Sequence, residues 1–272
     1  MRLPIIERVF MDARELFDLH GKAAIVTGGY GLYGAAISEA LAEMGAHVII
    51  ASRDGQKCRE FAGVITSRGL SAEGVALDLG NDMSIASFVG HVKSKHGKID
   101  ILVNNAVTRE GLKELKDITR ESLRGSAAVN TDGQIMLTKS VIPIMRENGG
   151  GSIINISSVR GLDSPQFPLY EPDQTMSVNY TTEKWALIGF TKWCAGKYGR
   201  DNIRSNAICP GGYDPALKDS GHPFYETYIK HNPLGRWAQA HDVKGPVVFL
   251  ASEASAYVTG ATLVMDGGWT IW

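Results

Sequence analysis

Short apolar runs alternate with longer amphipathic stretches along most of the chain. Lys22–Thr27, His47–Ala51, Ala72–Leu77, Ile99–Val103, Gly151–Ser158, Ile203–Ile208 and Ala261–Met265 are β-branched or apolar runs of strand length. Between them lie helical spacings: one running to Met44, then 54–68, 82–96, 119–146, 177–199 and 240–252, with a mixed loop and helix segment at 212–235. Glu7–Leu19 carries Val9, Phe10, Ala13, Leu16 and Phe17 at helical spacing, which predicts a short helix ahead of the first strand. Pro143 is expected to bend the last third of the 119–146 helix. Strands that alternate with helices in this way predict βαβ units: an α/β fold with a doubly wound parallel sheet of about seven strands, covered by helices on both faces. No linker, repeat or shift of composition divides the chain. The expectation is an N-terminal extension over 1–20 and a single domain over 21–272.

Composition narrows the function more than the fold. The formal net charge is −1 and no basic block stands out, so nothing in the sequence points to nucleic acid or an anionic membrane. The longest apolar runs, such as Val48–Ala51, are far shorter than a membrane span, and the N-terminus lacks the apolar core of a signal peptide. Three scattered cysteines (Cys58, Cys194, Cys209) suit a reducing compartment, and a cytoplasmic location is expected. The seven histidines show no paired ligand spacing along the sequence, so no metal is expected.

The candidate chemistry sits where the predicted strands end. Lys22–Thr27 runs into Gly28-Gly-Tyr-Gly31-Leu-Tyr-Gly34 and then a helix. This context lets phosphate approach a glycine-rich backbone turn and the positive end of a helix. The second strand closes in Ser52-Arg53 rather than in an acid. An acid there selects NAD, whereas an arginine accepts the 2′-phosphate of NADP, so NADP is favoured, with NAD as the alternative. Asp54 would cap the following helix. Further strands end in Asp78-Leu79, Asn104-Asn105-Ala106, Ser157-Ser158 and Pro210-Gly211. Tyr180 and Lys184 share one helix face, and no other tyrosine has lysine four residues on. An ammonium beside a phenol favours the phenolate and lowers its pKa, which suits proton exchange with an alcohol or carbonyl oxygen.

Together these residues resemble the short-chain dehydrogenase/reductase family in its compact single-domain branch. The resemblance covers about residues 17–270 and rests on Thr27-Gly28…Gly34, Asp78, Asn104-Asn105-Ala106, Asn130, Ser158, Tyr180-x-x-x-Lys184, Pro210-Gly211 and Asp266-Gly267-Gly268, in order along the chain. It implies a Rossmann-type fold and reversible hydride transfer between an alcohol or ketone and a nicotinamide cofactor. Tyr180 would exchange the proton, and Lys184 would hold the nicotinamide ribose and depress the tyrosine pKa. Ser158 would hydrogen-bond the substrate oxygen, and Asn130 would hold a water linking Lys184 to solvent. The implied cofactor residues are Gly28, Tyr30, Gly31, Leu32, Tyr33, Gly34, Ser52, Arg53, Asp78, Leu79, Asn105, Ala106, Tyr180, Lys184, Pro210, Gly211 and Tyr213. The chain departs from the family pattern in four places. Leu32 and Val107 stand where glycine is usual, Asp214-Pro215 stands where a threonine is usual, and Ser158 lies 22 positions before Tyr180, with an insert over 163–178.

Residues 159–179 and 212–235 are expected to roof the site. Their aromatic residues and carboxylates (Asp163, Tyr170, Glu171, Asp173, Tyr213, Asp214, Phe224, Tyr225, Tyr228) suit a small polyhydroxylated alcohol or ketone. The lead-in Leu16–Gly21 and the ending Asp266–Trp269 are similar to those of sugar-acid and polyol dehydrogenases, so a sugar, sugar acid or polyol is the expected substrate. The alternatives are a 3-ketoacyl-type or other carbonyl reductase, a nucleotide-sugar-linked dehydrogenase and, outside enzymes, a non-catalytic dinucleotide sensor. The resemblance also implies a homotetramer. Trp185, Trp193, Trp269 and Trp272 would be costly to leave exposed together, which points the same way.

Overall fold

The computed structural model describes residues 12–170 and 177–272. Its centre is one parallel sheet of seven strands in the order β3-β2-β1-β4-β5-β6-β7. The strands are β1 (Ala23–Thr27), β2 (His47–Ser52), β3 (Ala72–Ala76), β4 (Ile101–Asn104), β5 (Gly151–Ile156), β6 (Ile203–Pro210) and β7 (Thr262–Met265). The chain winds outward from β1 to β3, then returns to β4 on the other side of β1 and winds the opposite way. That reversal leaves a crevice beyond the carboxyl ends of β1 and β4, where ligands of such sheets bind.

Side-chain alternation assigns the helices to faces. Val48 and Ile50 of β2 pack into a core with α1 (Leu32–Glu43), α2 (Gly55–Ser67) and α9 (Lys244–Ala251). Ile49 and Ala51 point the other way, into a core with α3 (Asp82–His96) and α5 (Gly133–Glu147). Central strands buried on both faces explain why β1 reads as an unbroken apolar run. The helix ends follow local chemistry. Asp54 caps α2 through Gln56 N and Lys57 N, Asn81 caps α3 through Met83 N and Ser84 N, and Gly97 closes α3 in the left-handed region at φ 72°.

Three expectations are corrected. The 119–146 stretch is not one helix. It is α4 (Arg120–Ala127), a wider π turn over Ala128–Asp132, and α5, which continues through Pro143 to Glu147. Asn130-Thr131-Asp132 are poor helix formers. Gly133 lies so close to the neighbouring chain that a Cβ there would sit 2.3 Å from the Leu79 carbonyl oxygen. Packing therefore sets the helix geometry here over the regular ladder. The N-terminal helix expected over Glu7–Leu19 falls partly outside the described residues. Its described portion holds only a single 3₁₀ turn, Glu15–Phe17, before Leu19 drops into the core. Finally, Trp269 is buried and stacks on Tyr228 with centroids 4.2 Å apart, whereas Trp185, Trp193 and Trp272 are exposed.

A buried polar chain ties the sheet to one helical face. Asn104 and Asn155 are register partners on β4 and β5. Asn104 Nδ2 donates to Thr138 Oγ1 of α5 at 3.1 Å and to Asn155 Oδ1 at 2.8 Å. Asn155 Nδ2 donates to Thr191 Oγ1 at 2.8 Å, on α6 (Val178–Tyr198). Replacing Asn155 with alanine leaves Asn104 Nδ2 and Thr191 short of partners in a dry interior. Asn155→Ala is expected to lose about 1–3 kcal/mol of stability, visible as a lower denaturant midpoint at unchanged slope.

Candidate functional site

The Gly28–Gly34 turn is pinned to β4 by a small set of hydrogen bonds. Thr27 Oγ1 accepts from Asn105 N at 2.9 Å and Ala106 N at 3.0 Å, and Asn105 Nδ2 donates to Thr27 O at 2.8 Å and Gly28 O at 3.2 Å. Asn105 is therefore more than a turn residue: it fixes the glycine turn against the neighbouring strand end. Gly28 adopts φ +63°, and a Cβ on Gly34 would sit 2.0 Å from the Gly28 carbonyl oxygen. Both positions thus require glycine. Leu32, where the family pattern has glycine, is exposed as the first residue of α1.

Around this turn opens a cavity of about 610 Å³. Its walls bring together every cofactor residue expected from the sequence. The glycine turn, Tyr30, Leu32 and Tyr33 meet Ser52 and Arg53 from β2, and Asp78 and Leu79 beyond β3. Asn105, Ala106, Pro210, Gly211 and Tyr213 complete the wall, with Ser158, Tyr180 and Lys184 at its deep end. Arg53 makes only a loose, exposed ion pair with Glu110, at 3.8 Å.

Asn130 does not line this cavity. It is buried behind it, with Oδ1 accepting from Thr108 N at 2.7 Å and Nδ2 donating to Thr108 O at 3.1 Å and Glu183 Oε2 at 2.7 Å. Glu183, which precedes Lys184, also accepts from Ser126 Oγ at 2.5 Å, and Asn179 Nδ2 donates to Ser126 Oγ at 2.8 Å. This buried network clamps the start of α6 against α4 and the π turn.

Tyr180 and Ser158 meet at the deep end of the cavity, close enough for the serine to lower the phenol, in spite of the 22 residues between them. Lys184 Nζ donates to the Ile156 carbonyl at 2.7 Å and lies 5.6 Å from the Tyr180 ring centroid. The electrostatics differ from the sequence-based expectation. Burial raises the Tyr180 phenol above its ordinary value, while the Ser158 hydrogen bond and the Arg109 and Arg160 guanidiniums pull it back. The lysine stands over the ring, and burial pushes Lys184 itself down to about 8.

Sequence reasoning missed those two arginines. Arg109 lies three residues beyond Ala106, and Arg160 lies two beyond Ser158, so both follow strand ends that carry site residues. Arg160 is buried at 9% exposure and has no carboxylate partner among the described residues. It donates to Ser164 O at 3.2 Å and to the Tyr170 hydroxyl. Tyr170 stacks on Phe224 at 4.6 Å, so the two roof segments meet through this pair. Of the carboxylates expected in the roof, Asp163 and Asp214 lie among the described residues. Asp214 lines the cavity but caps α7 (Pro215–Asp219) through Ala216 N and Leu217 N. Asp163 accepts from Ser164 N, and Glu171 and Asp173 lie outside the described residues.

Comparison with known proteins agrees with this arrangement. Residues 33–270 match the family described as Enoyl-(Acyl carrier protein) reductase. Dehydrogenase/reductase SDR family member 4 of Rattus norvegicus is 34% identical over 92% of this chain and 88% of its own length. The probable galactose dehydrogenase GalD of Rhizobium meliloti is 34% identical over 92% of this chain and 96% of its own. Among solved structures, a gluconate 5-dehydrogenase from Burkholderia cenocepacia, in complex with NADP and tartrate, superposes with a TM-score of 0.87. That protein is 29% identical, and the match covers 96% of this chain and 99% of its own. The glycine turn, the Ser158–Tyr180–Lys184 cluster and these relatives together show that the chain belongs to the short-chain dehydrogenase/reductase family.

Proposed function

We propose that the protein is an NADP(H)-preferring dehydrogenase that interconverts the secondary alcohol of a sugar acid and the corresponding ketone. The observation that carries the substrate class is the pair Arg109 and Arg160. Two cations stand close enough to Tyr180 to pull its phenol down, and one of them is buried with no carboxylate partner among the described residues. A carboxylate on the substrate would meet this charge. The family relatives with sugar and gluconate names support the same class.

The residues present fit a nicotinamide dinucleotide. The glycines of the Gly28–Gly34 turn permit a tight backbone path that side chains would block, and that turn and the N-terminus of α1 border the cavity, where a phosphate would meet backbone amides. The buried Tyr33 hydroxyl lacks a hydrogen-bond partner among the described residues, and the Lys184 amine has a single backbone acceptor there. Lys184 would hold the nicotinamide ribose, and Asp78 and Leu79 would flank the adenine. Arg53 would meet the 2′-phosphate, as arginine suits a phosphate anion better than a surface carboxylate held at 3.8 Å. When bound, the nicotinamide ring gives or takes the hydride.

The protein's own part is proton handling and orientation. In ketone reduction, Tyr180 donates its phenolic proton to the substrate oxygen. In alcohol oxidation, it accepts that proton as phenolate. Ser158 hydrogen-bonds the same oxygen and stabilises the phenolate. Asn130 acts through Glu183, Ser126 and Asn179, holding the turn of α6 that carries Tyr180 and Lys184. The Trp237 indole N–H is buried in the cavity wall without a partner among the described residues, and it offers a donor to a substrate hydroxyl. An assembly through α4, α5 and α6 is supported by exposed Leu123, Ile135, Trp185 and Trp193 on those helices, in keeping with a homotetramer.

Tyr180→Phe is expected to reduce turnover by roughly 10²–10⁴-fold while leaving cofactor binding intact, measured by steady-state kinetics beside fluorescence titration. Because oxidation uses the phenolate and burial raises the phenol, kcat/KM for oxidation should climb with pH through the alkaline range. Ser158→Ala removes a contact that lowers the phenol, so the same climb should shift to higher pH.

Arg160→Met should weaken kcat/KM for sugar acids by about 10- to 150-fold, equivalent to about 1.5–3 kcal/mol for a charged hydrogen bond. Oxidation of neutral polyols, compared at a pH where the phenol is ionised in both proteins, should lose far less, since losing Arg160 also raises that phenol. A screen of aldonates, neutral sugars and polyols against wild type and variant checks this, and equal losses on both classes would remove the carboxylate reading.

Arg53→Ala should raise the KM for NADP⁺ about tenfold or more and leave that for NAD⁺ nearly unchanged, read from the cofactor KM ratio.

A further inference from the structure

At the opposite end of the sheet from the catalytic cavity, three of the seven histidines converge on one carboxylate. His47 opens β2, Glu73 lies on β3, and His91 and His96 lie on α3. Ile49 pairs with Glu73 across the two strands, so His47, two residues before Ile49, shares a face with Glu73. That is the face covered by α3, whose Phe88 and Val92 pack on Ile49 in the same core. His47 and Ser52 bound the six-residue strand β2. The cluster is thus about 16 Å from the cavity, at roughly 3.3 Å per residue.

We propose that His47, Glu73, His91 and His96 form a binding site for a divalent transition metal of the zinc class. His96 Nε2 lies 2.6 Å from Glu73 Oε1, and His47 Nε2 lies 3.9 Å from the same oxygen. The ligand atoms of His47, Glu73 and His96 all fall within 4.8 Å of one another. His91 Nε2 lies outside that trio, 3.9 Å from Glu73 Oε2, from where it would approach as a fourth ligand. In a tetrahedral zinc site with bonds of about 2.0–2.1 Å, ligand atoms stand about 3.3 Å apart. Three imidazoles and one carboxylate are a donor set suited to zinc, and less to calcium or magnesium.

A second observation points to a ligand. His47 Nε2 is buried and has no hydrogen-bond partner among the described residues. Its other nitrogen, Nδ1, bonds Ser71 Oγ at 2.7 Å. With Nδ1–H donated to Ser71, Nε2 carries a lone pair aimed into the cluster, the outer-shell arrangement that orients metal-bound histidines. The His47 and His96 rings lie side by side, with centroids 4.6 Å apart. Lys95 also contacts Glu73, but its side chain is 52% exposed, and its flexible stem can swing the ammonium into water when a cation takes its place.

The test uses full-length protein stripped with a chelator. Zn²⁺ is titrated against a competing chromophoric chelator and by calorimetry, and Co²⁺ is added separately as a spectroscopic probe. The expected result is one metal per chain, a Co²⁺ visible band of tetrahedral intensity, and a metal-dependent rise in the thermal midpoint. His47→Ala and Glu73→Gln should each weaken binding at least tenfold and abolish the Co²⁺ band. His241→Gln, at an exposed histidine elsewhere, should leave both unchanged. Circular dichroism and NADP⁺-linked turnover of the variants report whether they are folded. The proposal is overturned if stripped wild type binds no Zn²⁺ at micromolar concentration. It is equally overturned if folded His47→Ala binds as tightly as wild type, which would make Glu73 only an ion-pair acceptor for Lys95 and its histidine neighbours.

Discussion

The clasp between Thr27 and Asn105 is the contact on which the site depends. β1 and β4 are adjacent in the sheet yet belong to opposite windings of the chain. Their carboxyl ends would diverge into unrelated loops without a lateral tie. Thr27 Oγ1 satisfies two backbone amides of the β4 turn and itself donates to Val103 O, while the Asn105 amide satisfies two carbonyls of the β1 turn. These groups are partly or fully buried, so leaving any of them unpaired would be expensive. The clasp holds the glycine turn at the mouth of the crevice, and the crevice position follows from the strand order.

The catalytic end is held by a different kind of contact. A buried carboxylate, Glu183, sits directly before Lys184 and gathers Ser126 and Asn130, with Asn179 reaching it through Ser126. Buried charged and polar groups are tolerated when their hydrogen bonds are met, and such networks favour one arrangement over its neighbours. Here the network fixes the first turns of α6 against a π turn, a kind of helix irregularity frequent at functional sites. The short-chain alcohol dehydrogenase fold then has Ser158, Tyr180 and Lys184 gathered in one cavity, with the lysine amine over the tyrosine ring.

The roof combines an apolar shape with buried charge. Aromatic rings from Tyr170, Phe224, Tyr228 and Trp237 close over the cavity through stacked and edge contacts. They give it an apolar lid. Within that lid Arg160 stands out, since among the described residues its acceptors are neutral, and a buried guanidinium so placed loses solvation that its contacts only partly replace.

What was legible in the sequence was whatever depends on local spacing. The strand and helix alternation, the glycine turn, the Asp54 and Asn81 caps and the Tyr180/Lys184 pair are all set by residues within a turn or two of each other, and the structure shows each of them. Features set by contacts between distant segments were not legible. The π turn depends on Gly133 meeting Leu79, and the burial of Trp269 depends on Tyr228 lying over it. The raised phenol of Tyr180 reflects burial by elements far apart in the chain. Arg109 and Arg160 are ordinary surface-type residues until two strand ends bring them to one phenol. The histidines at 47, 91 and 96 likewise show no ligand spacing along the chain, and only the packing of α3 over β2 and β3 collects them around Glu73. Periodicity and turn chemistry are properties of neighbours in sequence, so the sequence by itself determined the class of fold and the family. Charge in a cavity is a property of neighbours in space, so only the tertiary structure decided which cations line the cavity and which imidazoles share a carboxylate.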